Sequence, residues 1–388
     1  MKLKEVKEAR QAKEFLRFPL RLYQDVNAYI RPLDKDIENV FDPSKNKTFR
    51  HGECARWLLI DDKEQVIGRV AAFVNRKSAS KDNDQPTGGM GFFECINDKK
   101  GAFMLFDQCK SWLEECGMEA MDGPINFGNR DQWWGLLIDG FEIEPNYRCN
   151  YNPSYYQQFF EDYGFKVYFN QFTYARVTRD PFHPKLQEKA NKIKKDPGYT
   201  FAHIKLNNLK KYIEDFRVVY NKAWARHGVP QMTRAQAKNL IYQLKPIIDE
   251  KIIWFGYYNN EPISVFILLP EVNQIFKYVN GKMNWIGKLK FLYHKWTKSC
   301  NKMFGLVFGV IPEHQGKGVE GAMIMTTAQM VQDDYHRYKY LEMNWIGDFN
   351  PKMIRVIEQV GGHVAKTHVT YRKLFDESKP FKRAAIIN

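Results

Sequence analysis

The six cysteines of the chain form no pattern that is typical of a metal or redox site. No CxxC pair is present, and no histidine stands at the spacing of a zinc ligand. We therefore expect reduced thiols in the core of a cytoplasmic protein that holds no metal. The cysteines are Cys54, Cys95, Cys109, Cys116, Cys149 and Cys300.

Long apolar runs are also missing. No stretch approaches the roughly 20 residues that are needed to span a bilayer. The N-terminal sequence MKLKEVKEARQAKEF has no apolar core region and so does not resemble a signal peptide. These absences predict a protein that is soluble or that lies at the inner face of the membrane.

Acidic residues are in the minority. The chain has 59 basic and 45 acidic residues, which give a net charge of +14. Such a surface attracts nucleic acid, anionic lipid or a phosphorylated cofactor, and charge alone does not choose among them. A single core stops growing at roughly 250–300 residues, so the 388 residues predict two domains.

The same order of elements occurs twice along the chain: a strand hairpin, a strand, a helix, a strand and a helix that follows Asn-Pro. The repetition predicts an α/β fold of two related units, each with a mixed, mostly antiparallel sheet flanked by helices. The predicted parts are an N-terminal domain (1–178), a linker helix (179–199) and a C-terminal domain (200–388) with an insertion (271–302).

A glycine-containing turn joins a strand to a helix in the second half, with the sequence GVIPEHQGKGVEGAM over 309–323. Gly316 and Gly318 allow unusual backbone angles and a close approach to a ligand. The first turn of a helix has unpaired N–H groups and a positive dipole end, and Lys317 adds a cation. The turn therefore predicts a phosphate-binding site.

This turn resembles motif A of the GNAT superfamily, Gln/Arg-x-x-Gly-x-Gly/Ala, although Glu320 stands where the family usually has Gly or Ala. The resemblance implies acyl-CoA or acetyl-CoA as the donor substrate, with the turn around its pyrophosphate and the preceding strand along its pantetheine arm. The residues implied to bind it are Val310, Ile311, Gln315, Gly316, Lys317, Gly318, Val319 and Asn350.

The first half has no such turn, since Asn97–Ala102 stands at the equivalent place. Two GNAT-like halves with one cofactor site resemble N-myristoyltransferases and Fem-type aminoacyl transferases. The segments 123–127, 135–141 and 151–156 resemble a bacterial group of two-domain N-acyltransferases that includes proposed ceramide synthases. The resemblance implies transfer of an acetyl or longer acyl group to an amine, with an amino-lipid as one candidate acceptor.

Acylation of an amine needs a base that removes a proton from the ammonium group. Glu342, on the strand after the cofactor helix, is the first candidate, and Glu94 is the second. The general acid that many GNAT enzymes place on the last helix is missing, because that position is Ile357. The predicted substrate-binding residues are Asn126, Tyr151, Tyr155, Asn344 and Tyr371.

The insertion is basic and aromatic, and it contains no acidic residue between Phe276 and Lys302. This composition is typical of a surface that meets anionic lipid. Stacking on nucleic acid bases is a second interpretation, and a helix that packs its aromatic residues on the domain is a third. A catalytically degenerate GNAT-like protein that regulates or binds nucleic acid or membranes is the alternative function, and Ile357 and Glu320 favour it.

Overall fold

A computed structural model describes residues 1–81, 83–225 and 231–387. In the first half, helices and strands follow the predicted order, with two helices before the hairpin. They are β1 (Lys2–Glu5), α1 (Ala9–Leu22), α2 (Asp34–Phe41), β2 (Gly52–Ile60), β3 (Val66–Asn75), β4 (Thr87–Cys95), α3 (Lys99–Glu115), β5 (Ala120–Gly123), β6 (Leu136–Asp139), α4 (Tyr156–Asp162) and β7 (Lys166–Val177).

The second half repeats this series and adds a helix pair within the predicted insertion. Its elements are α5 (Pro184–Lys195), β8 (Tyr199–His203), α6 (Leu209–Ala223), α7 (Arg234–Leu244), β9 (Ile253–Tyr258), β10 (Glu261–Pro270), α8 (Asn273–Val279), α9 (Trp285–Trp296), β11 (Lys302–Val310), α10 (Val319–Gln329), β12 (Tyr340–Gly347), α11 (Pro351–Gln359) and β13 (His363–Leu374).

All the strands join one sheet in the order β1-β2-β3-β4-β5-β13-β7-β12-β11-β10-β9-β8, with β6 paired to β13. Neighbours are antiparallel except for two parallel pairs, β4 with β5 and β11 with β12. The expected mixed α/β fold of two mostly antiparallel units is confirmed. The domain boundaries stay a prediction.

The two halves exchange their last strands. Strand β13, from the C-terminal end, pairs with β5 of the first half, with Tyr371 opposite Gly123. Strand β7, from the first half, pairs with β12 of the second half, with Ala175 opposite Glu342. The exchanged strands also pair with each other. Each unit therefore completes its sheet with a strand of the other.

The exchange places C-terminal side chains in the N-terminal core. Val369 and Tyr371 of β13 are 1% exposed and pack among Phe93, Phe106 and Phe160 of the first half. The second core contains no residue of β13 and is built around Phe216, Phe255 and Val265, among others. Burial of apolar surface therefore holds the C-terminal strand in the first unit.

Tyr371→Ala should lower the free energy of unfolding by about 3–4 kcal/mol, because it empties a buried aromatic site in the N-terminal core. Urea denaturation measures this change. Val364→Ala, on the exposed part of the same strand, should change the free energy by about 0.5 kcal/mol or less. Equal effects of the two substitutions would contradict the role of β13 in that core.

Candidate active site

A cleft opens where β11 and β12 part. The two strands pair in parallel only from Lys302 opposite Tyr340 to Gly305 opposite Met343. Just beyond, the register of β11 against β10 shifts and leaves Leu306 as an extra residue. Such a bulge bends its strand and leaves one residue outside the ladder. The strands therefore diverge on the side that leads to the predicted phosphate-binding turn.

The cleft has a volume of about 520 Å³ and is mainly apolar. Its walls come from both strands, from α6, α10 and α11, and from one residue of the first half, Asp131. Among the described lining residues, Asp131 and Tyr220 are the only ones with an ionisable side chain. Ile357, at the position of the usual tyrosine, lines the same cleft.

A smaller apolar pocket of about 60 Å³ extends the cleft inward. The two cavities share Phe266, Ile324, Met343 and Val360 as lining residues. The inner pocket continues past Ala328 to the side chain of Phe182. An apolar ligand that entered the cleft could thus reach between α10 and the sheet.

The turn before α10 has the geometry that its glycines predict. Gly316 and Gly318 have φ angles of 72° and 102°, in the left-handed region that favours glycine. No side chain caps the N-terminus of α10. The Gln315 side chain donates to the Val310 carbonyl at 2.8 Å, which ties the turn to the end of β11. The first helical amides after Gly318 therefore have no side-chain partner from the described residues.

Two backbone amides near this turn, those of Gly316 and Ile311, already have partners within the protein. Gly316 N–H donates to the Glu320 carboxylate at 3.3 Å, so the acidic departure from motif A lies against an amide of the turn. Ile311 N–H donates to the Ile263 carbonyl at 2.9 Å, and both Val310 and Ile311 are buried. The Ile311 amide is thus engaged by the neighbouring strand. A ligand would have to compete with Glu320 for the Gly316 amide.

Asn350 and Asn344 stand on the opposite wall of the cleft. The Asn350 side chain caps α11 by accepting the Met353 N–H at 3.2 Å. Asn344 donates to the Cys149 sulfur at 3.3 Å, and its side-chain oxygen has no partner among the described residues. The Asn350 side chain is therefore engaged in the fold, whereas the Asn344 oxygen is buried without a partner among the described residues.

Glu342 lies outside the lining of the cleft, because its side chain enters a buried ionic cluster. Its carboxylate pairs with Lys302 and accepts from Lys366 at 2.8 Å and from Asn146 at 2.7 Å. Burial alone would raise the pKa of Glu342, but Lys366 and Lys302 hold it below the usual value. An ionised carboxylate whose two oxygens are both engaged is a weak proton acceptor.

Comparisons with known proteins support a GNAT fold. No family model matches the chain. Bacterial ceramide synthase of Caulobacter vibrioides is 25% identical over 375 residues, which are 95% of this chain and 96% of the relative. Protein YghO of Escherichia coli is 24% identical over 371 residues, which are 93% of this chain and 92% of the relative.

Among solved structures, a tandem GNAT protein from the clavulanic acid biosynthesis pathway has a TM-score of 0.52 at 9% identity. The match covers 97% of this chain and all of that one. The chain has the tandem GNAT fold. A GCN5-related glucosamine N-acetyltransferase region in a fungal multi-domain enzyme has a TM-score of 0.55 at 11% identity. That match covers 96% of this chain, which spans 38% of the length of the fungal enzyme.

The first GNAT unit has a counterpart of the cleft that is nearly filled. Its cavity is about 50 Å³ and is lined by Glu94 and Tyr151 among other residues. Tyr23 and Tyr156 donate to the Glu94 carboxylate at 2.5 and 3.0 Å, and burial raises the pKa of Glu94. This cavity shares no lining residue with the 520 Å³ cleft. Glu94 therefore lies in a different cavity from the predicted donor site.

The other predicted substrate-binding residues are also dispersed within the first unit. Tyr151 donates to the Phe141 carbonyl and Tyr155 to the Cys95 carbonyl, both at 2.9 Å. Asn126 donates to the Asn129 carbonyl at 3.0 Å, and Tyr371 to Glu161 at 3.1 Å. Their roles in substrate binding stay predictions, and only Asn344 of this set lines the cleft.

Three residues that line the cleft were not predicted from the sequence: Asp131, Tyr220 and Trp224. Tyr220 is on α6 and Trp224 follows its last residue, four positions later, and their rings stack at 4.9 Å. Helical spacing could therefore have linked these two residues to each other. Asp131 lies two residues after Asn129 in a loop of the other unit, and no local pattern joins it to the cleft.

Among the described residues, no group of three potential ligands could hold a metal.

Glu342→Gln should lower the free energy of unfolding at neutral pH by about 3–5 kcal/mol, because it leaves two buried ammonium groups without their counterion. The wild-type carboxylate stabilises the fold above its unfolded pKa of about 4.3, and this contribution is lost as the pH falls through the lower folded pKa. The difference in the free energy of unfolding between the wild type and Glu342→Gln should therefore become smaller in acid. Chemical denaturation at several pH values measures it.

Glu115→Gln, on an exposed helix end, is the matched control and should leave stability nearly unchanged. A Glu342→Gln protein with wild-type stability and a strongly reduced turnover would contradict the structural role. That outcome would instead support Glu342 as the base.

Proposed function

We propose that this protein transfers an acyl group from a coenzyme A thioester to an amine. The observation that carries the proposal is the apolar cleft between β11 and β12, because β11 runs from this cleft directly to the turn at the start of α10. A thioester whose diphosphate lies at the turn would extend its pantetheine and acyl parts along the cleft. The relation to a bacterial ceramide synthase supports the same class of reaction.

The diphosphate would bind through the backbone at the start of α10 and through Lys317. The left-handed glycines Gly316 and Gly318 orient the turn, and the helix dipole favours an anion there. Glu320 opposes this binding unless its carboxylate leaves the Gly316 amide. We therefore expect weaker donor binding than a turn with glycine or alanine at this position would give.

The acyl group would be longer than acetyl. The cleft and the inner pocket have shared apolar walls, and each methylene that leaves water for such walls contributes about 0.8 kcal/mol. An acetyl group would leave the inner pocket unfilled. The name of the ceramide synthase relative agrees with a long-chain product.

The acceptor amine would enter beside Asp131. This residue is the only carboxylate among the described lining residues of the cleft, and a carboxylate attracts the ammonium form of an amine. It reaches the cleft from the first unit, where the Arg130 carbonyl accepts from the Trp345 indole at 3.3 Å. Because the cleft is mainly apolar around it, an amine with an apolar chain is the favoured acceptor.

The acceptor nitrogen must lose one proton before attack and a second as the amide forms, and the departing thiolate must gain one. Asp131, directly or through water, would take a proton from the ammonium group, and the neutral amine would attack the thioester carbonyl. The N–H of Leu306 at the bulge is the candidate donor to the carbonyl oxygen as its charge develops. The carbon–sulfur bond then breaks, and Tyr220 would give its proton to the departing thiolate in the place of the missing tyrosine. The nitrogen loses its second proton as the amide forms, and this proton would restore Tyr220, directly or through water.

Gly316→Ala should weaken coenzyme A binding and lower the release of free thiol from long-chain acyl-CoA in the presence of an amine. The new Cβ meets nothing within 4 Å, so the effect comes from the strained φ of 72° and not from a clash. We expect about a tenfold weaker affinity, since about 1 kcal/mol or more separates alanine from glycine in this region. Calorimetry and a thiol-release assay measure both quantities.

Gly117→Ala is the matched control, because Gly117 also has a positive φ of 80° and open space at the Cβ position, but lies in the first unit. The Gly117→Ala variant should lose a similar amount of stability and keep its affinity for coenzyme A.

The wild-type protein should release thiol more slowly from acetyl-CoA than from long-chain acyl-CoA. If no acyl-CoA releases thiol with any amine while coenzyme A still binds, the protein is a binding module and not an enzyme.

Asp131→Asn should raise the KM for the amine and lower kcat/KM by about 10- to 100-fold, because a base and its charge are lost. Asp139→Asn, also exposed in the first unit, is the control and should behave as the wild type. Coenzyme A affinity should stay unchanged in both variants. If the pH–rate profile of Asp131→Asn is the same as that of the wild type, Asp131 is not the base of the reaction.

A further inference from the structure

Helix α9 turns an apolar surface toward solvent. Six of its side chains are large, apolar or aromatic, and exposed, and Trp285 and Trp296 are 71% and 80% exposed. At about 100° per residue, these six side chains lie within an arc of about 120°. The six are Trp285, Ile286, Leu289, Leu292, Tyr293 and Trp296. A helix that served only to cover a domain would turn these side chains inward.

The opposite face of α9 holds the helix on the protein. Gly287, Phe291 and His294 are its least exposed residues, and every other residue of the helix is exposed. The Phe291 ring lies 5.7 Å from that of Phe276 on α8, and the His294 ring stacks on Tyr278 at 3.8 Å. An added Cβ at Gly287 would lie 2.0 Å from the Lys282 carbonyl. The helix is therefore docked closely by one face and free on the other.

Lysines border the apolar arc on both sides. Lys290 lies next to Tyr293 and Ile286 on one edge, and Lys288 and Lys295 lie on the other edge, by the same helical spacing. No acidic residue occurs between Phe276 and Lys302. An apolar face with cations along its borders and tryptophan at both ends matches the interface of an anionic bilayer.

The helix pair is also connected to the junction between the two units. On α8, Asn273 donates to the Pro145 carbonyl at 2.7 Å and Lys277 pairs with Glu144 at 3.0 Å. The adjacent Asn146 donates to Glu342. No helix among the described residues is long and apolar enough to cross a bilayer, so an attachment through α9 would be at the surface.

We propose that α9 inserts its apolar face into the headgroup region of an anionic lipid bilayer, with its lysines on the lipid phosphates. The charge pattern of α9 selects this partner, because a neutral surface would offer no counterion to Lys288 and Lys290, whereas Lys295 also donates to the Pro246 carbonyl. Nucleic acid has no apolar region for Leu289 and Leu292, and a second copy of this face would bring the lysine borders together. The proposal does not depend on acyl transfer, since α9 and the cleft share no lining residue.

The test uses the full-length protein and vesicles of phosphatidylcholine with or without one third phosphatidylglycerol. Sedimentation should show binding to the anionic vesicles only, and raising the salt to about 0.5 M should weaken it. Trp285→Ser with Trp296→Ser should lower the partition by about tenfold or more, and so should Lys288→Glu with Lys290→Glu. All four substituted residues of α9 are exposed. Thermal unfolding should confirm that the variants are folded.

The matched controls are Tyr242→Ser with Ile386→Ser, which remove exposed apolar side chains elsewhere, and Lys45→Glu with Lys63→Glu, which remove exposed charges elsewhere. Both controls should bind vesicles as the wild type does. The proposal is overturned if wild-type protein ignores anionic vesicles or if the α9 variants keep full binding. It is also overturned if these variants lose only binding to single-stranded DNA or only self-association in light scattering.

Discussion

The pairing of β7 with β13 is the contact on which the whole molecule depends. These two strands are paired along most of their lengths, and each also completes the sheet of the unit to which its chain half does not belong. Neither unit can form its central ladder without a strand from the other. The two GNAT units are therefore expected to fold and unfold together, and their relative orientation is set by backbone hydrogen bonds.

The ionic cluster around Glu342 follows from this exchange. Lys302 belongs to β11, Lys366 to the exchanged strand β13, and Asn146 to a loop of the first unit. Asn146 also donates to Glu271 at 2.9 Å, and burial raises the pKa of Glu271. A buried carboxylate needs such partners, because its desolvation is otherwise too costly. The cluster thus fixes how three parts of the chain meet beneath the cleft.

Local features were predictable from the sequence, and the contacts between distant segments were not. The periodicity of apolar residues predicted the repeated order of helices and strands, and Gly316 and Gly318 predicted the turn before α10. Both features are local, because they depend on residues that are close together in the chain. The strand exchange depends on which distant edge β13 meets, and no local pattern encodes it. The alternation of Glu342 with Leu341 and Met343 is compatible with a salt-bridged side chain, but its partners Lys302 and Lys366 lie on other strands and could not be named from the sequence. Asp131 enters the cleft from the other unit.

The two units share an order of elements but differ in the size of their cavities. In the first unit, the space between β4 and β5 is reduced to about 50 Å³, against about 520 Å³ in the second unit. Phe92, Phe93 and Trp133 occupy the walls, and Glu94 is engaged by two tyrosines and Arg69. A filled cleft needs no phosphate-binding turn, which agrees with the absence of a glycine turn at Asn97–Ala102. The first unit instead contributes Asp131 to the wall of the second unit's cleft and β7 to its sheet, so the two units complete one structure in different ways.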